Sequence, residues 1–353
     1  MQRLLFINSC LTSGGSERVM ALLANEFAQR DYDVTMVLLR EKKDTYIINE
    51  KIKLIRFHYA LNFKPYIIIK RLYMLHKELK NPQYDLAISF MYDINIVSLL
   101  CKLGSNIPIL ISERADPNSR FHGRLYKAFE NKLYLTSKYL ILQTERVKTY
   151  YPKELQAKSI VIPNPISNNL PEEYHGEREK KIVAVGRITE QKNFSLLIEA
   201  FSKVYSYHPD YYLEIYGDGP LRKKLETQSK QLGLHNSIFF KGYVKDILNE
   251  IKTASMYVSS SNFEGISNAM LEAMSLGIPT ICTDCPVGGA AMIIQNERNG
   301  LLIPTKNKPA LINAMNRIIE EPDLAKKIGE NASKIKELYS IKRIANKWEL
   351  LFK

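Results

Sequence analysis

The chain has 353 residues, too many for one ordinary core and enough for two domains that each bury an interior. With 45% hydrophobic and 25% charged residues it excludes a disordered or fibrous chain and reads as a globular protein folded throughout. The formal charge of +13 is concentrated in the first half, where residues 1–170 carry +10 and residues 171–353 carry +3.

A short apolar run at residues 4–7, polar and glycine punctuation at 8–15, and apolar residues at helical spacing over 17–30 predict strand, loop and helix. Residues 33–39 complete a βαβ unit with Gly14 and Gly15 at the helix N-terminus, where a phosphate or an acceptor group can approach the backbone closely. Residues 51–80 hold eight Lys or Arg against Glu78 alone, interleaved with Phe57, Phe63, Tyr66, Tyr73 and the isoleucines 67–69. A basic, aromatic-rich segment of this kind suits an anionic bilayer surface, with a solvated lysine-rich helix as the plain alternative. No nucleic-acid motif accompanies the charge, so no nucleic-acid partner is expected.

Further strands are expected at 54–57, 86–90, 109–112 and 139–142 with helical stretches between them, an alternation that argues a parallel doubly wound sheet. Ligands of open α/β sheets bind at the carboxyl edge, which makes two loops there candidates for the acceptor side. The first, residues 91–95, carries Asp93 and Asn95; the second, SERADP at 112–117, carries Glu113 and Arg114. Arg114 can offer a cation to phosphate or pair with Glu113 or Asp116. Residues 160–166 end in a proline-rich turn, and the polar, acidic stretch 167–180 reads as a linker between domains at 1–166 and 181–339.

The second domain opens with a strand at 182–185, then Gly186, Arg187, Lys192 and a helix over 194–204, in outline a diphosphate cradle. Strands follow at 212–216, 238–242 and 254–259, with helices over 221–232 and 246–252. Residues 262–279, NFEGISNAMLEAMSLGIP, put Glu264 in a loop and Glu272 on a helix. Gly265 permits close backbone approach and Ser267 or Asn268 can cap the helix, so free N–H groups stand between two hydroxyl-accepting carboxylates. Strands at 280–282 and 301–303, helices over 308–320 and 323–338, and a helical run from about 340 complete the chain, with Trp348, Leu350, Leu351 and Phe352 past that run.

Four scattered cysteines fit a reducing compartment, hence the cytoplasm, and Cys282 and Cys285 lack the second pair or the histidine that a zinc site needs. No apolar run is long enough for a signal peptide or a membrane span, so any membrane contact is peripheral, on the inner face of the cytoplasmic membrane.

Glu264 and Glu272 with seven residues between them, set in FEGISNAMLEAMSLGIPTI, resemble the signature of the GT-B glycosyltransferases of family 4, and the resemblance extends over nearly the whole chain. It implies two Rossmann-like doubly wound parallel-sheet α/β domains facing across a cleft, with the last helix (340–353) returning to the first. It also implies a nucleotide-sugar donor, UDP-linked, in the second domain. Glu264 would contact the sugar hydroxyls and Glu272 the ribose hydroxyls. Arg187 and Lys192, behind Gly186, would neutralise the diphosphate as it leaves. Gly242, Tyr243 and Val244 would line the base, and Gly265, Ile266, Ser267 and Asn268 would meet the donor at the helix start, with Gly14 and Gly15 close to the diphosphate and the acceptor. Those cations do the service of a metal ion, so neither metal nor other cofactor is expected.

SERADP departs from the His-Asp pair of many members and resembles the subset that builds bacterial surface sugars on polyprenyl-diphosphate carriers. The implied activity is retaining transfer of a hexose or N-acetylhexosamine to such a lipid-linked saccharide. A nucleotide-sugar epimerase of the same fold, which needs no acceptor, and a non-catalytic glycan-binding subunit are the alternatives.

Overall fold

The computed structural model describes residues 1–12, 14–42, 44–59, 63–119 and 123–353. The chain divides into two compact units, Met1–Pro165 with Ile341–Lys353, and Ile166–Ser340.

The first unit is built on seven strands: β1 (Arg3–Asn8), β2 (Asp33–Leu38), β3 (Lys53–Arg56), β4 (Leu86–Phe90), β5 (Ile109–Ser112), β6 (Tyr139–Leu142) and β7 (Ser159–Val161). They lie in the order β3-β2-β1-β4-β5-β6-β7, every pairing parallel. All five residues of β4 and all four of β5 are buried, so these strands are near-continuous apolar runs, as a sheet covered on both faces requires. Ile7 stands opposite Ser89 and Phe90 opposite Ser112, which brings the carboxyl ends of β1, β4 and β5 level. Right-handed crossovers put the helices Lys64–Leu79, Tyr92–Cys101 and Arg124–Tyr134 side by side on one face, while helix Gly15–Gln29 packs with the final helix Ile341–Glu349 on the other.

That final helix includes Trp348, which the sequence reading had put beyond it. The indole stacks on Phe90 with ring centres 5.6 Å apart, and Phe352 meets Phe27 at 5.0 Å. Arg30 donates to Asn346 (2.6 Å) and Glu349 (2.9 Å), so the end of the chain is held by both apolar and charged contacts.

The second unit carries β8 (Glu179–Val185), β9 (Tyr212–Tyr216), β10 (Ile238–Gly242), β11 (Ala254–Ser259), β12 (Thr280–Asp284) and β13 (Leu301–Pro304), all parallel in the order β10-β9-β8-β11-β12-β13. Successive side chains of β8 serve opposite faces: Ile182 and Ala184 join Leu213 and Met256 in one core, Val183 joins Tyr257 and Cys282 in the other. The acidic stretch read from composition as a linker is bound into this unit. Arg178 donates to the backbone carbonyls of Lys252, Ala254 and Gly277, satisfying acceptors at the amino-terminal side of the sheet. Residues 323–338, expected as one helix, form two, Pro322–Ser333 and Ile335–Leu338.

Candidate active site

In the second unit the strand order reverses between β8 and β11, and the loops leaving those two strands flank the crevice where doubly wound sheets bind ligands. The loops, 186–193 and 260–267, are sewn together. Asn262 donates from its backbone N–H to the Gln191 carbonyl and from its side-chain amide to the Glu190 carbonyl, each at 2.8 Å. The Ser260 hydroxyl reaches the carbonyls of Lys192 (3.0 Å) and Asn193 (3.1 Å). Asn193 itself sits at φ +46°, a left-handed conformation that asparagine tolerates, and its amide donates to Asn262 Oδ1 at 3.0 Å.

This seam fixes an ion pair. Lys192 Nζ lies 2.5 Å from Glu264 Oε1, the two side chains only 12% and 17% exposed, and Ser261 Oγ donates to the other carboxylate oxygen at 2.8 Å. Gly186, at φ +155°, makes the contact possible, because a Cβ there would stand 2.6 Å from Lys192 Cε. Next to it Arg187 is exposed, and its side chain makes no hydrogen bond or ion pair with any described residue. Its guanidinium is therefore available to an outside anion.

Ser267 caps the helix Asn268–Ser275, its hydroxyl accepting from the Met270 N–H at 3.4 Å, and Glu272 on that helix is 6% exposed. Gly265 and the buried Ile266 lie between the carboxylate and the cap. Gly242, in a left-handed conformation, closes β10, its carbonyl accepting from Gly217 N–H at 2.7 Å, and exposed Tyr243 and then Val244 follow. Behind Glu264, burial raises the pKa of both Cys282 and Cys285, the latter to about 11, so these thiols stay protonated at neutral pH and are poor nucleophiles and poor metal ligands. Among the described residues no group of three or more His, Cys, Asp or Glu is placed to hold a metal ion.

The candidates of the first unit are arranged differently. Gly14 precedes the helix Gly15–Gln29, and the Glu17 carboxylate folds back over that helix start, where a Cβ on Gly14 would meet it at 1.9 Å. Asp93 is exposed. Asn95 is wholly buried and donates to Glu113 Oε1 (2.9 Å) and the Ser112 carbonyl (3.0 Å), while the Tyr134 hydroxyl donates to the same Glu113 oxygen at 2.5 Å. Met91, at φ +75°, makes the sharp turn from β4 into this network.

Arg114 lies over the rings of Phe90 (4.9 Å) and Trp348 (5.7 Å) and donates to Ser112 Oγ and Asn164 Oδ1, each at 2.8 Å. Burial pulls its pKa down to about 9, which still leaves it charged at neutral pH. It braces the final helix against the loop after β5. Neither this brace nor the part of Ser261 was read from the sequence. The only signal for Ser261 was a hydroxyl three residues before a loop carboxylate.

Both halves of the chain match known families. The model of Glycosyltransferase Family 4 matches residues 13–169, and that of Glycosyl transferases group 1 matches residues 166–335. An uncharacterized glycosyltransferase of Haemophilus influenzae is 27% identical over 352 residues, covering 98% of each chain. A Campylobacter jejuni alpha-1,4-N-acetyl-D-galactosaminyltransferase, named for an acceptor saccharide on diphospho-undecaprenol, is 24% identical over 99% of this chain and 97% of its own. Among solved structures, Anabaena HepE in complex with UDP and glucose superposes with a TM-score of 0.84 at 18% identity, covering 99% of this chain and 98% of that one, a likeness of fold. With both halves matched and a GT-B framework, the chain belongs to the glycosyltransferases, its first half of Family 4 and its second of group 1.

Proposed function

We propose that the protein is a retaining transferase that moves a hexose or N-acetylhexosamine from a UDP-sugar to a saccharide carried on a polyprenyl diphosphate, at the inner face of the cytoplasmic membrane. The observation that carries this reading is the fixed Lys192–Glu264 pair beside the free Arg187 at the switch point of the second unit. As the bond from the sugar to the diphosphate breaks, negative charge grows on the leaving group. Arg187, Lys192 and the N–H groups at the start of helix Asn268–Ser275 stabilise it without reorganisation of water. Glu264, held on both oxygens, is a hydroxyl anchor for the sugar, and its charge also favours an oxocarbenium-like transition state. The acceptor hydroxyl gives its proton to the departing phosphate, so no separate base is required. Glu272 takes the ribose, and Gly242, Tyr243 and Val244 take the base. The cations serve where other transferases use a metal, and the reaction needs no cofactor.

The donor type is supported by the UDP bound in the HepE structure, and the acceptor class by the name of the Campylobacter relative. In the first unit Gly14, Gly15 and exposed Asp93 are the candidates for the acceptor, and Asn95, Glu113 and Arg114 shape the carboxyl edge of its sheet from within. Peripheral attachment runs through residues 51–80, whose helix exposes Ile68, Ile69 and Tyr73 among lysines. No helix among the described residues is long and apolar enough to cross a membrane. Transfer from a panel of UDP-hexoses to lipid-linked saccharides in membranes tests the reading. Equal transfer to soluble sugars, or release of an epimer without any acceptor, contradicts it.

A further inference from the structure

The loop SERADP of the first unit runs into a cavity. Its last residue, Pro117, with Asn118 after it, Lys127, Glu130 and Asn131 of helix Arg124–Tyr134, and Tyr150 and Tyr151 beyond β6 line a space of about 190 Å³. That is many times what one water needs, and below the roughly 300–1,000 Å³ that takes a drug-sized ligand, so it suits a single ring and not a nucleotide. The lining groups best shielded from solvent are hydrogen-bond acceptors. Glu130 is 8% exposed, and Asn131 Oδ1 is buried with no hydrogen-bond partner among the described residues. An anion would set its charge against the Glu130 carboxylate and could not donate to Asn131, whereas a neutral ligand bearing O–H groups donates to both. Lys127 is exposed, so solvent screens its charge. Tyr150 and Tyr151 add flat apolar surface, the ring of Tyr151 lying 6.4 Å from that of Tyr134. Polar groups around an aromatic surface, in a volume for one ring, have the chemistry of a monosaccharide site.

The two acidic residues of SERADP hold the wall of this cavity. Glu113 Oε1 accepts from the Tyr134 hydroxyl at 2.5 Å, which fixes the ring against which Tyr151 stacks. Asp116 Oδ1 accepts from the Asn118 N–H at 2.8 Å, which fixes the turn on the other side. Carboxylates that the transfer chemistry leaves idle thus acquire a task. We propose that the cavity is a subsite for one neutral sugar ring of the acceptor saccharide, its hydroxyls bound by Asn131 and Glu130 and its flat side packed on Tyr150. The inference rests on the acceptor part of the proposed function and is independent of the donor sugar.

The test is saturation-transfer NMR of the full chain with the methyl glycosides of N-acetylgalactosamine, N-acetylglucosamine and glucose. At least one is expected to bind, and Asn131→Leu and Tyr150→Ala are each expected to weaken it about tenfold, with UDP affinity and melting temperature unchanged. In transfer to a lipid-linked saccharide the same variants should raise acceptor KM about tenfold and leave donor KM as it is. Should Asn131→Leu melt abnormally, Tyr150→Ala carries the test, since that side chain is only half-buried. No glycoside binding by a chain that binds UDP overturns the inference and leaves the transferase reading intact. Glycoside binding that both variants preserve also overturns it, because the sugar then sits elsewhere, and so does displacement of the glycoside by inorganic phosphate, which marks an anion site. Glycoside binding that the variants weaken, in a chain that does not bind UDP, upholds the cavity and counts against the transferase reading.

Discussion

The carboxyl edges of the two sheets both carry charged side chains and use them in opposite ways. In the second unit Lys192 and Glu264 pair at the seam of the two loops, and the Arg187 side chain has no partner among the described residues. In the first unit Asn95, Glu113 and Tyr134 are tied to one another out of contact with water, and Arg114 rests against two aromatic rings that stack on each other. One edge keeps its charge available to a ligand. The other consumes its charge in holding a shape.

The largest test of this contrast is Trp348→Ala, expected to cost about 3–5 kcal/mol because it empties a wholly buried indole site and removes one of the two rings against which Arg114 rests. Urea unfolding should show the loss in the first unit, with UDP binding by the second preserved. A variant that keeps its stability yet fails to bind UDP would break the comparison. Lys192→Ala comes next, with kcat/KM for transfer down about 10²–10³-fold, the range for loss of one preorganised charge at a leaving group, and little change in melting temperature. Ser261→Ala should act through donor KM by roughly tenfold, since it removes one charge-assisted hydrogen bond to Glu264, with Ser261→Thr restoring most of it.

The smallest effect concerns pH. Hydrogen bonds from Arg3 hold the Asp85 carboxyl below its ordinary value, so the unfolded chain binds the proton more readily than the folded one. The stabilisation is complete above the ordinary carboxylate pKa and is lost as pH falls through the lowered folded value. Asp85→Asn should flatten only that acid limb of melting temperature against pH, and slightly, because both side chains are more than a third exposed.

Much of the framework was legible in the sequence because a doubly wound sheet writes its buried strands as apolar runs closed by glycine or a polar loop. Residues 86–90, 109–112 and 139–142 are strands at the bounds expected. β7 was not legible, since its three residues run directly into a proline-rich turn. In the site, the helix cap at Ser267 is local chemistry and was open to reading. The Lys192–Glu264 contact spans 72 residues, and only a family resemblance could have joined its ends beforehand. The same distance problem hid the partners of Glu113, which lie 18 and 21 residues away, and made SERADP look like a ligand loop.

The central claim is that the seam of the second unit receives a nucleoside diphosphate through Arg187 and Lys192. Calorimetric titration of the protein and of the Arg187→Ala, Lys192→Ala double variant with UDP measures it directly. The account predicts saturable binding by the unaltered chain and at least a hundredfold weaker binding by the variant, given two lost charge contacts of about 1.5–3 kcal/mol each. Equal UDP affinity in both proteins would contradict it.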